Sequence, residues 1–342
     1  TLIKLAENQG VENFTQREEE PGRIPHEIRS LDDPFAKKLT ARYGWQWPYY
    51  GSIDATPQFI RTFFAYVNRH PDFAQQTFFG RDGQQHTMTE VYDTLLDAAQ
   101  FYDQHLHLPQ KATIARSHAT LLKKSILELF WTDEQSGYFV LGTDRDDSGT
   151  PRQLKVRASN MGHLLYSRLL ADSNPRTAAM REAIVRHMFS PEMLTPSGIR
   201  TLASDEVRFR PGAYHNGSVW LWDTYYITKG LRKQNYFHLA DLLSERLFNV
   251  INATHAFPEF VRGDDSLTPT LNNRVVDVWD ETYQQINRIE QPPQQIQAWS
   301  VAAILALTHY NKKSSKQPKK PPTELEKEIL TRINEQEAHL RP

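Results

Sequence analysis

PRTAAMREAIVRHMFSPEMLTPSGIRTLASDEVRFRPGAYHNGSVWLWDTYYITKGLR, residues Pro175–Arg232, carries the alternation that decides the fold. Its two ends, about 175–189 and 218–232, space their apolar residues by three and four, the period of an α-helix. Asn174-Pro175 and Ser190-Pro191 punctuate the first of these as cap and breaker. Between the two helices lies a long stretch, 191–217, rich in Gly, Pro and aromatic residues. Connections of that length are uncommon in compact domains unless they have a function.

The same pattern recurs outward in both directions. Gln58–Val67 places Phe59, Ile60, Phe63, Phe64 and Val67 on one helical face. Thr87–Tyr102 does so with Met88, Val91, Tyr92, Leu95, Leu96, Ala99 and Tyr102, and Thr87 with Glu90 has capping-box spacing. Ala112–Trp131 carries Leu121, Leu122, Ile126, Leu129 and Phe130. Further helices are expected at about 162–171, 235–252 and 296–310, with long loops at 20–57 and 255–295. Strand signals are weak. Gly137–Leu141 and Leu154–Val156 are expected to form one short hairpin.

Repeated helix pairs with elaborate loops suggest an all-α (α/α) toroid whose loops gather over one end as a binding face. Periodicity alone fits an unrelated helical array equally well. A barrel domain is expected over 1–310 and a basic linker over 311–322 (NKKSSKQPKKPP). A C-terminal helix over 323–342 has Leu325, Ile329 and Ile333 in one stripe. A stripe that short suits a helix docked on its own domain, with partner binding or a coiled coil as the alternative.

Composition bounds the function. The 342 residues suffice for a large buried core. Lys+Arg 40 against Asp+Glu 41 leaves a net charge of −1, which gives no electrostatic case for nucleic acid or an anionic membrane. The absence of cysteine excludes disulfides, thiolate metal sites and a Cys nucleophile, and permits either redox compartment. No run reaches the roughly 20 apolar residues that span a bilayer. TLIKLAENQG lacks the basic and apolar regions of a signal peptide and an initiator Met, so a processed chain or a piece of a larger one is expected. The cytoplasm is the expected location, and oligomeric state is not legible.

No nucleotide-binding or metal motif occurs, and no cofactor or metal is expected. What stands out is carboxylates and aromatics together in Gly/Pro-rich loops. Aromatic faces stack on the apolar side of a pyranose, while carboxylates and amides bind its hydroxyls. Glycosidic cleavage usually needs two carboxyl groups flanking the bond. Four segments fit: EEEPGRIPHEIR (Glu18–Arg29), GWQWPYYGSIDATPQF (Gly44–Phe59), MLTPSGIRTLASDEVRFRPGAYHNGSVWLWDT (Met193–Thr224) and FPEFVRG (Phe257–Gly263).

Together with SNMGHLL (Ser159–Leu165) and PPQQIQAWSVAA (Pro292–Ala303), these segments resemble, in order, the helical catalytic domain of amylo-α-1,6-glucosidase-like, glycogen-debranching glycosidases. The resemblance covers roughly residues 5–310. It implies an (α/α)6-toroid-like helical barrel, a carbohydrate substrate and hydrolysis of α-glucosidic bonds with inversion. It implies that Glu259 is the general base, against a loop carboxylate paired with Arg262. It implies sugar binding by Asp54, against capping of the helix that follows. Tyr214, His215, Asn216 and Trp220 would line the cleft, against a helix start with Trp220 in the core. Glu27 would touch substrate, against an ion pair with Arg29, and Asp205 likewise, against an exposed turn. Trp47 and Tyr50, with Trp45 and Tyr49, would form a stacking platform, against packing. Loops 44–54, 200–217 and 257–263 would converge on one rim.

The chain departs from the family in one stretch. A GWKDS-like segment, whose Asp is the general acid, should precede Ala112, but QFYDQHLHLPQKATIARS (Gln100–Ser117) contains none. Roughly two helices are missing there, which makes an incomplete toroid an alternative to a complete one. Another carboxylate such as Asp54 or Asp205 would have to donate the proton, or the chain is a degenerate sugar-binding relative, or residues of a longer active protein are missing from it.

Overall fold

The computed structural model describes residues 1–52, 55–91, 109–167, 169–170, 174–271, 276–280, 285–289, 293–314 and 320–340. The chain is mostly helical, with few short strands, and divides into two compact units, Thr1–Leu122 and Lys123–Pro342. Among the described residues no helix is long and apolar enough to cross a membrane.

The first unit contains α1 (Leu2–Ala6), α2 (Pro34–Tyr43), α3 (Ala55–Val67) and the hairpin β1 (Thr77–Phe79)–β2 (Gln85–Thr87). The expected stripe is the buried face of α3: Phe59, Ile60 and Phe63 pack with Ala6, Ile24, Phe78, Met88 and Val91. A helix begins at Met88 behind the expected capping box. Thr87 N donates to Glu90 Oε2 (2.8 Å) and Glu90 N to Thr87 Oγ1 (3.3 Å), which satisfies two amides that a helix start leaves bare. The rest of that expected helix, 92–102, and the connection that would hold the general acid, through residue 108, lie outside the described residues. Helix α4 (Pro109–Leu129) crosses the division between units. Its Leu121, Leu122 and Leu129 are exposed rather than buried as the spacing suggested.

The second unit is built around a helix hairpin. Helix α7 (Leu221–Lys233) turns through Gln234, Asn235 and Tyr236 into α8 (Phe237–Thr254). Asn235 takes the left-handed conformation (φ 67°), which a short polar side chain tolerates. Helices α6 (Pro175–Met188) and α9 (Ala298–Ser314) complete the framework, and α9 packs on α7. Asn174 caps α6 as expected, its side chain accepting from Arg176 N at 2.9 Å with Pro175 at the first helical position. The expected helix over 162–171 shrinks to one turn, α5 (Asn160–His163). The core there is tight: a Cβ on Gly162 would meet Met188 Sδ at 2.8 Å and Ile227 Cγ1 at 2.9 Å.

The single expected hairpin is two. Strand β3 (Trp131–Thr132) pairs with β4 (Tyr138–Phe139), and β5 (Gly142–Arg145) with β6 (Pro151–Leu154); further on, β7 (Leu194–Thr195) pairs with β8 (Gly198–Ile199). The expected loop 255–295 contains a further pair, β11 (Val276–Asp280) with β12 (Gln285–Ile289).

Helix α10 (Glu324–Leu340) buries Leu325, Ile329 and Ile333 in the same cluster as Ile184, Met188 and Leu243. Glu326, 1 % exposed, is held by its own start and by that of α8: Thr323 N and His238 N each donate to it at 2.8 Å. A carboxylate at two helix N-termini meets bare amides and favourable dipole ends. Arg246 and Glu337 add an ion pair at 2.6 Å between α8 and α10.

Candidate active site

The short strand β10 (Phe260–Val261) pairs antiparallel with β9 (Val219–Trp220), so Phe260 faces Trp220 and Val261 faces Val219. This pairing joins the YHNGSVW and FPEFVRG segments. Two-residue strands leave no periodicity, so no pattern in the chain announces them. Glu259, immediately before β10, is held by its backbone: its N donates to Gln294 O at 2.8 Å, and Pro258 O accepts from Ser300 Oγ at 2.7 Å.

The Glu259 side chain is buried, and its carboxylate has two donors. Tyr214 Oη–H donates to Oε1 at 2.5 Å and Gln294 N–H to Oε2 at 3.2 Å. The expected rival partner, Arg262, instead donates to Asp264 at 2.7 Å. Among the described residues, Glu259 is thus a buried carboxylate met by hydrogen bonds and not by a cation, a form suited to accepting a proton from water.

Tyr214 is fixed in turn. Its carbonyl accepts from Trp220 Nε1 (2.9 Å) and Ser218 Oγ (2.7 Å), and its ring stands edge-on to Trp220 (4.7 Å between centroids) and Phe260 (5.3 Å). His215 lies parallel to Trp220 at 5.9 Å. Desolvation lowers the His215 pKa, the nearby Glu259 charge opposing it. Asn216 contributes its carbonyl, which accepts from Arg210 N at 2.7 Å.

Arg200, from the SGIRT turn, anchors the two loops to each other. It is 1 % exposed and reaches the carbonyls of Gly263 (2.5 Å), Pro191 (2.8 Å) and Glu192 (3.0 Å) and the Asp265 carboxylate (2.7 Å). Gly217 (φ 142°) and Gly263 allow the closest approach: a Cβ on Gly263 would lie 1.8 Å from Gly217 O.

Asp54 lies outside the described residues. Asp205 is half-exposed and paired with Arg157, whose other partner is Glu206. In the first unit Glu27 pairs with Arg29, the bland reading of that residue. Trp47 and Tyr49 are buried with Ala36. Tyr50 is fully buried, its hydroxyl donating to Asn8 O and accepting from Arg81 Nη1, both at 2.7 Å; burial pushes its pKa up to about 12. Trp47 and Tyr50 of the expected platform are thus both buried. Trp45 keeps partial exposure and stacks on Tyr49 at 4.2 Å.

Sequence reasoning missed a cluster beside Trp220. His163 Nε2 meets Asp223 Oδ1 at 2.5 Å. Burial works against a charged His163 ring, but the hydrogen bond and charge of Asp223 outweigh it and raise its pKa. Among the described residues, Asp223 Oδ2 and Trp222 Nε1 are buried without partners. Each such group typically costs about 1–3 kcal/mol. Among the described residues no group of three His, Asp or Glu could hold a metal ion.

Residues 84–266 match the model of the mannosylglycerate hydrolase MGH1-like glycoside hydrolase domain, more than half of the chain. No curated protein matches. Among solved structures, a GH63 mannosylglycerate hydrolase from Thermus thermophilus in complex with glucose is similar over 90 % of this chain and 86 % of its own, at 12 % identity and a TM-score of 0.39. A sialidase is similar over 55 % of this chain at 11 % identity and a TM-score of 0.37, and the match spans only 20 % of the sialidase. The helical framework carries its loop carboxylate where the family model matches, and the chain belongs to the MGH1-like glycoside hydrolase domain family.

Proposed function

We propose that this chain hydrolyses α-glucosidic linkages of glucan or short α-glucosides, with inversion, in an (α/α)6-toroid-like barrel of the debranching type. Glu259 is the general base that activates water, and Tyr214, His215, Asn216 and Trp220 hold the sugar. The observation that carries this reading is the buried Glu259 carboxylate, bonded to Tyr214 and Gln294 N and, among the described residues, paired with no cation. A water approaching it would give up its proton to a group held in one orientation by two donors.

We assign the proton donor to Asp54 by its motif. Asp205, the other candidate, has its carboxylate occupied by Arg157. Inversion requires the two carboxyl groups about 6.5–9.5 Å apart, which leaves room for the water. One observation favours a second reading, a carbohydrate-binding module without turnover: Gln100–Ser117 lacks the family's GWKDS-like acid segment. Loss of a general acid typically costs ~10²–10⁴-fold in rate.

The test is a hydrolysis screen of maltose, isomaltose, trehalose, glucosylglycerate and mannosylglycerate, the last suggested by the family's name. Turnover of an α-glucoside, lost in Asp54→Asn, supports the first reading. Binding without turnover by the unaltered chain supports the second. Neither binding nor turnover on the whole panel refutes both.

A further inference from the structure

One turn beyond Trp220, the second unit carries an aromatic cluster with no assigned role. Trp299, 47 % exposed, lies parallel to Trp222 with ring centroids 5.5 Å apart and planes 16° apart. Trp222 meets Tyr226 edge-on at 5.9 Å, and Tyr226 stacks on the His163 ring at 5.7 Å. His163 is bonded through Nε2 to Asp223. Packing accounts for the rings and leaves the polar atoms unexplained. Among the described residues, Asp223, 5 % exposed, has one oxygen without a partner, and the neighbouring Trp222 N–H has none either. An indole stack with a half-exposed outer ring, beside an acceptor and a donor still to be satisfied, has the makings of a sugar contact: apolar faces for the ring, polar groups for its hydroxyls.

Two stretches of chain tie the cluster to the Glu259 segment. Gln297 N donates to Phe257 O at 2.8 Å and Ser300 Oγ to Pro258 O at 2.7 Å, so Trp299 projects from the chain that holds the Glu259 segment. Trp220, three residues before Asp223, packs against the ring of Tyr214, which bonds Glu259. We propose that Trp299, Trp222, His163 and Asp223 form a second carbohydrate subsite, for the sugar ring on the far side of the bond to be cleaved. This inference rests on the glycosidase reading and adds the residues that select a disaccharide over a monosaccharide.

Calorimetric titration at low temperature tests it, with maltose, isomaltose, trehalose and glucose as probes, on the full chain, Trp299→Ala and Asp223→Asn. Each is also made in a Glu259→Gln background, where turnover is removed. At least one disaccharide is expected to bind tenfold or more weakly to both variants, with glucose changed less than twofold. Trp299 is half-exposed, so Trp299→Ala keeps the test informative should Asp223→Asn fail to fold. Unchanged disaccharide binding in Trp299→Ala overturns the proposal. So does an equal loss of glucose binding, or the absence of any disaccharide binding by the unaltered chain. Whether hydrolysis needs Glu259 is read separately, so failure of the base assignment would not be mistaken for failure of the subsite.

Discussion

Replacing Gly263 by alanine should disturb the Glu259 loop without touching Glu259. A Cβ there would lie 1.8 Å from Gly217 O and 3.3 Å from Arg200 Cγ. Ordinary contact begins at 3.4 Å, so the two backbones would have to part by 3.4 − 1.8 = 1.6 Å. Neither side yields easily. Gly217 is itself enclosed, since a Cβ on it would sit 2.6 Å from Arg210 O, and Gly263 N is bonded to Pro211 O at 2.8 Å. Overpacking typically costs ~1–3 kcal/mol, and a backbone obstacle puts this case at the upper end, about 3 kcal/mol. The same separation pulls the Tyr214 segment from the Glu259 segment, and a catalytic group misplaced by about 1 Å costs on the order of 10²-fold in rate. Urea unfolding followed by tryptophan fluorescence, with a hydrolysis assay alongside, checks both numbers. A Gly263→Ala protein within about 0.5 kcal/mol of the parent, and within about twofold of its rate, would refute the reasoning.

Other expectations follow from single residues. Ile329→Ala should cost about 2–5 kcal/mol in chemical denaturation, because Ile329 is fully buried where α10 meets the core. Arg200→Met should cost at least about 2 kcal/mol and lower activity, since three backbone carbonyls lose a buried charged donor. His163 should titrate above the ordinary histidine value of about 6.5 in a proton NMR titration, and Asp223→Asn should bring its midpoint down. The sign for stability follows: the His163 contribution is full below its unfolded pKa and is lost as pH rises through the raised folded value. His187 does the opposite. Burial, seconded by the Arg157 charge, lowers its pKa, so stability is lost as pH falls below the ordinary range and the unfolded chain takes up a proton.

The helices were legible where apolar stripes were long and their caps strong. Phe59, Ile60 and Phe63, the Thr87–Glu90 box and the Asn174 cap behave as their spacing implies. Elements too short for a period were not: β9 and β10 have two residues each, yet they bring Trp220 beside Phe260. Leu121 and Leu122 show the converse, a helical pattern left exposed. In the site, the motif segments named Tyr214, Trp220 and Glu259, and the fold brings them together. The His163–Asp223 pair was missed because its members are 60 residues apart and neither stands out locally. Trp222 and Tyr226, four apart on one helix, look like core residues, and only their contacts with His163 and Trp299 set them apart. Tyr50 sits in an aromatic loop, but loop position does not determine burial.

Hydrolysis of an α-glucoside followed by proton NMR, comparing the parent chain with Glu259→Gln, reads both the base and the stereochemistry. The parent should release the β-anomer first, the mark of inversion, and Glu259→Gln should be slower by about 10²–10⁴-fold with its fold intact. First release of the α-anomer would contradict inversion. A Glu259→Gln protein as active as its parent would contradict the assignment of Glu259 as the base.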